Sequence, residues 1–272
     1  MALIPNFFLD TVVAIGVKNQ QGKKTWVGTG FLVGRKEREN PAESTVYLIT
    51  NKHVIETREK IFVKFNSKGQ TTTKDYEIDL FDNSNNPMFS KHDTADIIAK
   101  QIIPKVLIED ESVFAFFDLD DHALTLSQMN QTGVTEGTLV YALGFPMKLV
   151  DSIKKSPICR LGCISRISNL FADGDDVDYL VDAQVFPGNS GGPVISRPEH
   201  FSFENAPYNV KANLIGILHS YIPYQDVLIS LQTSEQRSVI VENSGLTRVY
   251  PVDMIKEIVE IEWQRNVSTR LT

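Results

Sequence analysis

Val185-Phe186-Pro187-Gly188-Asn189-Ser190-Gly191-Gly192-Pro193-Val194-Ile195 sets one serine in a glycine-rich turn that runs straight into an apolar strand. Glycines on both sides of Ser190 permit backbone angles closed to other residues, so successive N–H groups can converge on a small anion while an extended chain comes close. A serine hydroxyl is a weak nucleophile unaided. The turn therefore has chemical meaning only beside a base and a group that orients the base.

The chain supplies both. Thr45-Val46-Tyr47-Leu48-Ile49-Thr50-Asn51-Lys52-His53-Val54-Ile55 is a β-branched and aromatic run that ends in a polar step, which puts the His53 imidazole at the mouth of a strand. His92, His122 and His200 lie in polar stretches and read as solvated. For the orienting carboxylate, His92-Asp93-Thr94-Ala95-Asp96-Ile97-Ile98-Ala99-Lys100-Gln101-Ile102 again turns from polar to apolar. Asp96 directly precedes the apolar run, and Asp93 in the same segment competes with it.

Five blocks taken together carry a resemblance. Gly28-Thr29-Gly30-Phe31-Leu32-Val33, Ile49-Thr50-Asn51-Lys52-His53-Val54, Asp96-Ile97-Ile98-Ala99, Tyr141-Ala142-Leu143-Gly144-Phe145-Pro146 and Pro187-Gly188-Asn189-Ser190-Gly191-Gly192-Pro193 are similar, in order and spacing, to the chymotrypsin-type serine peptidases. The bacterial HtrA-type branch is the nearest in pattern, and His, Asp and Ser follow one another in the order this fold uses. The resemblance covers nearly the whole chain and implies an all-β fold of two six-stranded antiparallel barrels. One barrel spans 8–116 and carries His53 and Asp96; the other spans 134–248 and carries Ser190. A crossing at 117–133 joins them, and a helix at 249–266 closes the chain without a PDZ-type module. The same resemblance implies that Ser190 attacks a peptide carbonyl, His53 moves the proton, Asp96 fixes the imidazole tautomer, and the N–H groups of Gly188 and Ser190 form the oxyanion hole. A scaffold that binds peptides without cutting them stays open as the alternative, as does esterase chemistry.

Departures from the digestive branch bear on control and specificity. Those enzymes carry an aspartate before the serine that pairs with a newly cut N-terminus; Asn189 stands here and offers no such ion pair. Activity is therefore expected without N-terminal trimming, with control left to loops 148–157 and 221–226. In relatives that cut after Arg or Lys an acid lies six positions before the serine, and here that position is Gln184. A basic substrate side chain would lack a buried partner. The run Leu214-Ile215-Gly216-Ile217-Leu218-His219-Ser220-Tyr221 matches the strand that pairs with substrate backbone. Gln184, His219, Ser220 and Tyr221 are thus the expected substrate-binding residues, and small or medium apolar residues the expected preference. Packing in the barrel wall is the other reading of His219 and Tyr221.

Composition narrows the partners. With 272 residues, 42% of them apolar, the chain is long enough for two cores. A formal charge of −7 and the lack of a basic run argue against nucleic acid and anionic membranes. No run approaches the ~18 apolar residues of a membrane span. Cys159 and Cys163, four apart with no nearby histidine, fit no usual zinc spacing and read as partly buried thiols, so no metal or cofactor is expected. The N-terminus has no basic start, and Asp10 interrupts its apolar stretch. A cytoplasmic protein is the expectation, with an exported form lacking its signal left open. The expected partner is a peptide or protein substrate; a regulatory partner or homo-oligomer stays open.

Local pattern places first-barrel strands at 11–17, 25–33, 44–50, 61–65, 76–80 and 96–102, with a hairpin turn at 20–23 and a helical turn at 53–58. Second-barrel strands are expected at 139–143, 158–167, 178–182, 192–196, 213–220 and 227–231. The crossing lacks strand alternation. Helical spacing returns at 251–263, with Pro251 suited to the first helical position and Met254, Ile255, Ile258, Val259 and Ile261 on the apolar side.

Overall fold

In β1 (Val12–Lys18) every residue before Lys18 is buried, yet on two separate cores: Val12 and Ala14 face one, Val13, Ile15 and Val17 the other. The two-residue period of a strand requires this division. The computed structural model describes residues 4–37, 40, 43–69, 72–172, 176–199, 207 and 209–270. His200 lies outside them.

A short helix α1 (Asn6–Thr11) precedes β1. Then come β2 (Lys24–Lys36), β3 (Ser44–Thr50), the single turn α2 (Lys52–Ile55), β4 (Lys60–Ser67), β5 (Thr73–Asp79), β6 (Ser90–Lys91), β7 (Ile98–Ile102), α3 (Pro104–Glu109), β8 (Ser112–Val113) and β9 (Phe117–Asp118). They form a nine-stranded sheet of order β5-β4-β1-β2-β3-β7-β6, with β8 on β4 and β9 parallel to β2. Its inner face wraps Ile15, Leu32, Leu48, Val63, Phe65 and Ile98. Where the resemblance implies a closed six-stranded barrel, the strand pairing runs open from β5 to β6. Phe81 bridges Pro87, and the Met88 N–H donates to the Leu80 carbonyl at 2.8 Å, so only the ends of these segments touch. Between them Asp82 accepts N–H groups from Ser84 and Asn86, and this side-chain-capped turn replaces ladder bonds.

The crossing holds β9 and a helix, α4 (Leu126–Gln131), that strand alternation did not reveal. Its start is a capping box: the Gln128 N–H donates to Thr125 Oγ1, and the Thr125 N–H donates back to Gln128 Oε1 at 2.9 Å. There follow β10 (Leu139–Gly144), a 3₁₀ turn at Pro146–Lys148, β11 (Ile158–Arg166), α5 (Ser168–Phe171), β12 (Tyr179–Asp182), β13 (Pro193–Ser196), β14 (Asn213–Ile229), β15 (Gln236–Pro251) and α6 (Val252–Arg270). Six strands close an antiparallel barrel in the order β10-β11-β12-β15-β14-β13. Val140, Ile164, Val181, Val194, Ile215 and Val249 fill it.

Two expectations need correction. The strand expected at 227–231 is the far end of β14, and the sixth barrel strand is β15, which pairs back along β14 from Gln236 to Pro251. Its outer half is exposed, so no buried alternation marks it. Pro251 ends β15 and α6 starts at Val252. On α6 Ile261 is 37% exposed, whereas Glu262 is fully buried. Residues 255, 258, 259 and 262 share one helical face, so the buried stripe passes through a carboxylate. That carboxylate accepts from the Ser90 hydroxyl at 2.7 Å, the Gln101 N–H at 3.3 Å, Arg265 Nη2 at 2.7 Å and Asn266 Nδ2 at 3.1 Å.

A third core lies between the two sheets. Phe8, Phe31 and Tyr47 from the first half meet Tyr141, Leu143 and Ile217 from the second, and Val252, Ile255 and Ile258 of α6 cover the seam. Because Glu262 pins α6 to β6 and β7, Glu262→Leu is expected to destabilise the protein by about 2–4 kcal/mol, leaving Ser90 and the Gln101 N–H without their acceptor. Urea unfolding measures this; a change below about 0.5 kcal/mol would contradict the pinning role.

Candidate active site

β3 ends at Thr50 and the chain turns at once into α2, which carries His53. Asn51 at this corner is fully buried and donates from Nδ2 to the Asp96 carbonyl at 2.7 Å. The Asp96 carboxylate returns the contact twice, accepting the His53 main-chain N–H at 3.2 Å and lying 2.5 Å from His53 Nδ1. An ionised carboxylate only accepts, so Nδ1 carries the hydrogen and Nε2 keeps a lone pair free to take a proton. Asp93 is exposed, and among the described residues it makes no hydrogen bond to His53.

His92 is not solvated. It is 4% exposed, and its Nδ1 accepts the N–H groups of Thr94 at 3.3 Å and Ala95 at 3.0 Å. The imidazole thus caps the loop that delivers Asp96. His122 likewise accepts the Asp118 N–H at 3.0 Å and packs on Phe7 and Phe8. Histidines in polar stretches read as solvated because short-range sequence does not show that a ring nitrogen can substitute for a backbone acceptor.

The serine turn is held from β2. Thr29 is buried; its hydroxyl donates to the Gly188 carbonyl at 2.6 Å and its N–H donates to the Ser190 carbonyl at 3.0 Å. Gly188 and Gly191 take φ of 104° and 82°, and a Cβ on them would lie 2.4 Å from the Phe145 oxygen and 2.1 Å from the Thr29 oxygen. Both reasons demand glycine. Inside the turn the Asn189 N–H donates to Phe186, the Gly191 N–H to Leu218 and the Gly192 N–H to Asn189. Among the described residues no acceptor is found for the N–H of Gly188 or of Ser190. Two such donors in one turn are of the kind that can bind a small anion. The Asn189 side chain is 4% exposed, and among the described residues its Nδ2 has no hydrogen-bond partner.

Histidine and serine segments meet over the same stretch of β2. A Cβ on Gly28 would lie 2.6 Å from Val54 Cγ1, so α2 sits directly on that glycine, and the next residue, Thr29, holds Ser190. Among the described residues no hydrogen bond joins the Ser190 hydroxyl to His53. Such bonds often tighten only once a substrate is bound.

Beside Ser190 opens a cleft of about 240 Å³ between Val185 and Phe186 on one segment and Leu218 to Tyr221 on β14. His219, Ser220 and Tyr221 therefore line it, while Gln184 does not. Along 183–185 burial alternates, and Gln184 is the exposed residue between buried Ala183 and Val185. His219 is fixed from several sides. Its ring stacks on Tyr250 with centroids 3.9 Å apart, Nε2 lies 3.1 Å from Asp178, and Nδ1 lies 3.1 Å from the Ser220 hydroxyl. Arg248 also binds Asp178, at 3.0 Å. Burial works against the Asp178 charge, but His219 and Arg248 overcome it and hold the carboxyl below its usual range. Burial pushes the Tyr250 phenol up, and the Asp96 main chain lies against that phenol. Neither Asp178 nor Tyr250 carried a local motif that would have singled it out. Cys159 and Cys163 are free thiols, and Cys159 is exposed rather than partly buried. Among the described residues no group of His, Cys, Asp or Glu side chains is arranged to hold a metal ion. The chemistry open to this arrangement is proton transfer by His53 and nucleophilic attack by Ser190.

A family model, the trypsin-like peptidase domain, matches residues 28–200. Among solved structures, the MamO protease domain from Magnetospirillum magneticum in its apo form is similar, with 16% identity over 92% of this chain and 96% of that one and a TM-score of 0.48. No curated protein matches the chain.

Thr29 provides a test of how the turn is held. Thr29→Val keeps the shape but strips the Gly188 carbonyl of its donor and the Phe145 N–H of its acceptor. A loss of about 1–3 kcal/mol is expected in chemical denaturation; unchanged stability would mean the turn is held by other contacts.

Proposed function

The chain belongs to the trypsin-like peptidase domain family, and from that premise we propose that it is a serine endopeptidase acting through Ser190, His53 and Asp96. His53 Nε2 takes the Ser190 hydroxyl proton as Oγ attacks the substrate carbonyl carbon. The carbonyl oxygen becomes an oxyanion held by the N–H groups of Gly188 and Ser190. His53 then gives its proton to the departing amine, leaving an ester on Ser190, and a water activated by the same imidazole frees the acid and restores the serine. The observation that carries this reading is the Asp96 carboxylate accepting from both the ring and the main chain of His53. That double contact sets the tautomer the proton transfer needs. The two unpaired amides of the turn support it independently.

We place the chain in the HtrA-type branch on its five sequence blocks and on Asn189. Because a neutral, buried Asn189 offers no carboxylate to a new N-terminus, the intact chain is active without trimming. The open nine-stranded sheet stands in for the first barrel of that fold. Among the described residues the cleft lining contains no Asp, Glu, Lys or Arg, which favours small or medium apolar residues before the cut. One observation favours a second reading, a domain that holds peptides without cutting them: the Ser190 hydroxyl makes no hydrogen bond to His53 among the described residues.

Three outcomes are expected. A fluorophosphonate probe labels Ser190 in the intact chain and fails on Ser190→Ala, which also loses turnover of amide substrates. Asp96→Asn lowers kcat by on the order of 10⁴ with substrate binding retained, because an amide no longer enforces the tautomer. In a peptide library the released ends are apolar. Absence of both labelling and turnover, with peptides still bound in the cleft, would establish the non-cutting reading; dominant cleavage after Arg or Lys would refute the specificity.

A further inference from the structure

Lys155 lies in the connection between the 3₁₀ turn and β11, yet it is 2% exposed. Its ammonium donates to the carbonyls of Val12 at 2.7 Å, Asp10 at 3.2 Å and Leu9 at 3.4 Å. These oxygens come from the end of α1 and the first residue of β1, where a helix leaves carbonyls without internal partners. The main chain of Lys155 is held as well: its N–H donates to Asn66 Oδ1 at 2.6 Å, and its carbonyl accepts from Asn66 Nδ2 at 2.9 Å. Three residues earlier, the Ser152 carbonyl accepts from the Thr73 hydroxyl at 3.2 Å. Asn66 belongs to β4 and Thr73 to β5. A loop leaving the second barrel is thereby fastened to the first sheet. Burial pushes the ammonium down to about 8, and an unpaired charge there would be costly. The three carbonyls are what hold it in place.

The other end of this loop touches the serine turn. The Met147 N–H donates to the Pro187 carbonyl at 2.7 Å, and a Cβ on Gly188 would come within 2.4 Å of the Phe145 oxygen. Met147 and Lys148 both adopt left-handed backbone, at φ 53° and 60°. Consecutive non-glycine residues in that region persist only when their surroundings over-determine them. Between the two fastenings Val150 packs on the core, while the side chains of Leu149 and Ile153 are 52% and 60% exposed. Both ends of the segment that carries the strained turn are thus tied by hydrogen bonds to other parts of the chain.

We propose that Lys155 is a positioning residue for the oxyanion site: its ammonium, buried among the carbonyls of Leu9, Asp10 and Val12, holds loop 149–157 across both sheets and keeps the 146–148 turn seated against Pro187 and Gly188. The proposal rests on the reading of Ser190 as nucleophile and adds how the donors beside it are ordered. Asn189 has no charge with which to attract a cation to the turn itself. An internal lysine orders the turn from a distance instead.

The test compares Lys155→Met, which keeps the bulk and removes the charge, with Asn66→Ala, which frees the main chain of the loop. Amide hydrogen exchange is read at Met147, Asn189 and Gly192, whose N–H groups are bonded within or to the turn, and at Val140 and Val181 inside the barrel. Both variants are expected to exchange at least tenfold faster at the first three sites and within twofold of wild type at the barrel sites. Fluorophosphonate labelling of Ser190 and kcat are expected to fall at least tenfold, with KM within twofold. If Lys155→Met does not fold, Asn66→Ala decides by the same measures. Turn protection within twofold of wild type in a folded variant, or faster exchange of equal size in the barrel, overturns the proposal. Exchange does not require catalysis, so a wild-type protein that no probe labels would refute the nucleophile while leaving the positioning role to be decided by the exchange data.

Discussion

Every polar group of Thr29 is spent on joining parts of the chain that are distant in sequence. Its N–H goes to Ser190, its hydroxyl donates to Gly188 and accepts from the Phe145 N–H, and its carbonyl accepts the Thr50 hydroxyl at 2.7 Å. One buried β2 residue thus fixes the serine turn, the end of β10 and the end of β3, three residues before His53. A neutral buried hydrogen bond adds only about 1 kcal/mol net, but leaving a partner unmade costs more. Displacing any of the three segments would leave several groups unpaired at once, and this all-or-none penalty specifies their relative positions. Packing supplies the stability and this residue supplies the register.

The division of labour recurs across the seam. Phe8, Phe31, Tyr47, Tyr141 and Leu143 bury the large apolar surface, but such contacts are nearly indifferent to small displacements. Directional groups remove that freedom: Glu262 beneath α6, Asn51 on the Asp96 carbonyl, and His92 on the loop before it. Glu262 and Asn51 are each tied to the main chain of another element, and His92 to the main chain of its own loop. A site assembled from strand ends of two sheets needs such ties, because reactive groups tolerate errors far smaller than an apolar seam allows.

The segments carrying His53, Asp96 and Ser190 were legible because each joins an apolar strand to a polar or glycine-rich end. The ends of β3 could be read to the residue, since its alternating faces serve two cores and polar residues flank it. Elsewhere the signal was tertiary. β15 escaped because its outer half pairs only with β14 and keeps both faces in water, so it bears no pattern of burial. The carboxylate on the buried face of α6 reads as a surface residue until Ser90 and Gln101 are seen opposite it. Gln184 was placed by counting back from Ser190, and counting does not register which way an extended side chain points. Closure of the first sheet is decided by a side-chain-capped turn at Asp82, whose competition with strand pairing is invisible in hydropathy.

The cleft and the His53–Asp96 pair share supports. The turn pairs with β14 through the Gly191 N–H to Leu218 and the Leu218 N–H to Gly192, which ties the strand lining the cleft to the turn presenting Ser190. The next residue on β14, His219, stacks on Tyr250, and the phenol of Tyr250 rests against the main chain of Asp96. The His219 ring that lines the cleft is thus separated from the Asp96 segment by one stacked ring. Asp178, gripped by both His219 and Arg248, stiffens that stack from the far side. The wall of the cleft and the surroundings of the His53–Asp96 pair therefore share the stacked rings of His219 and Tyr250, held in place by rigid packing.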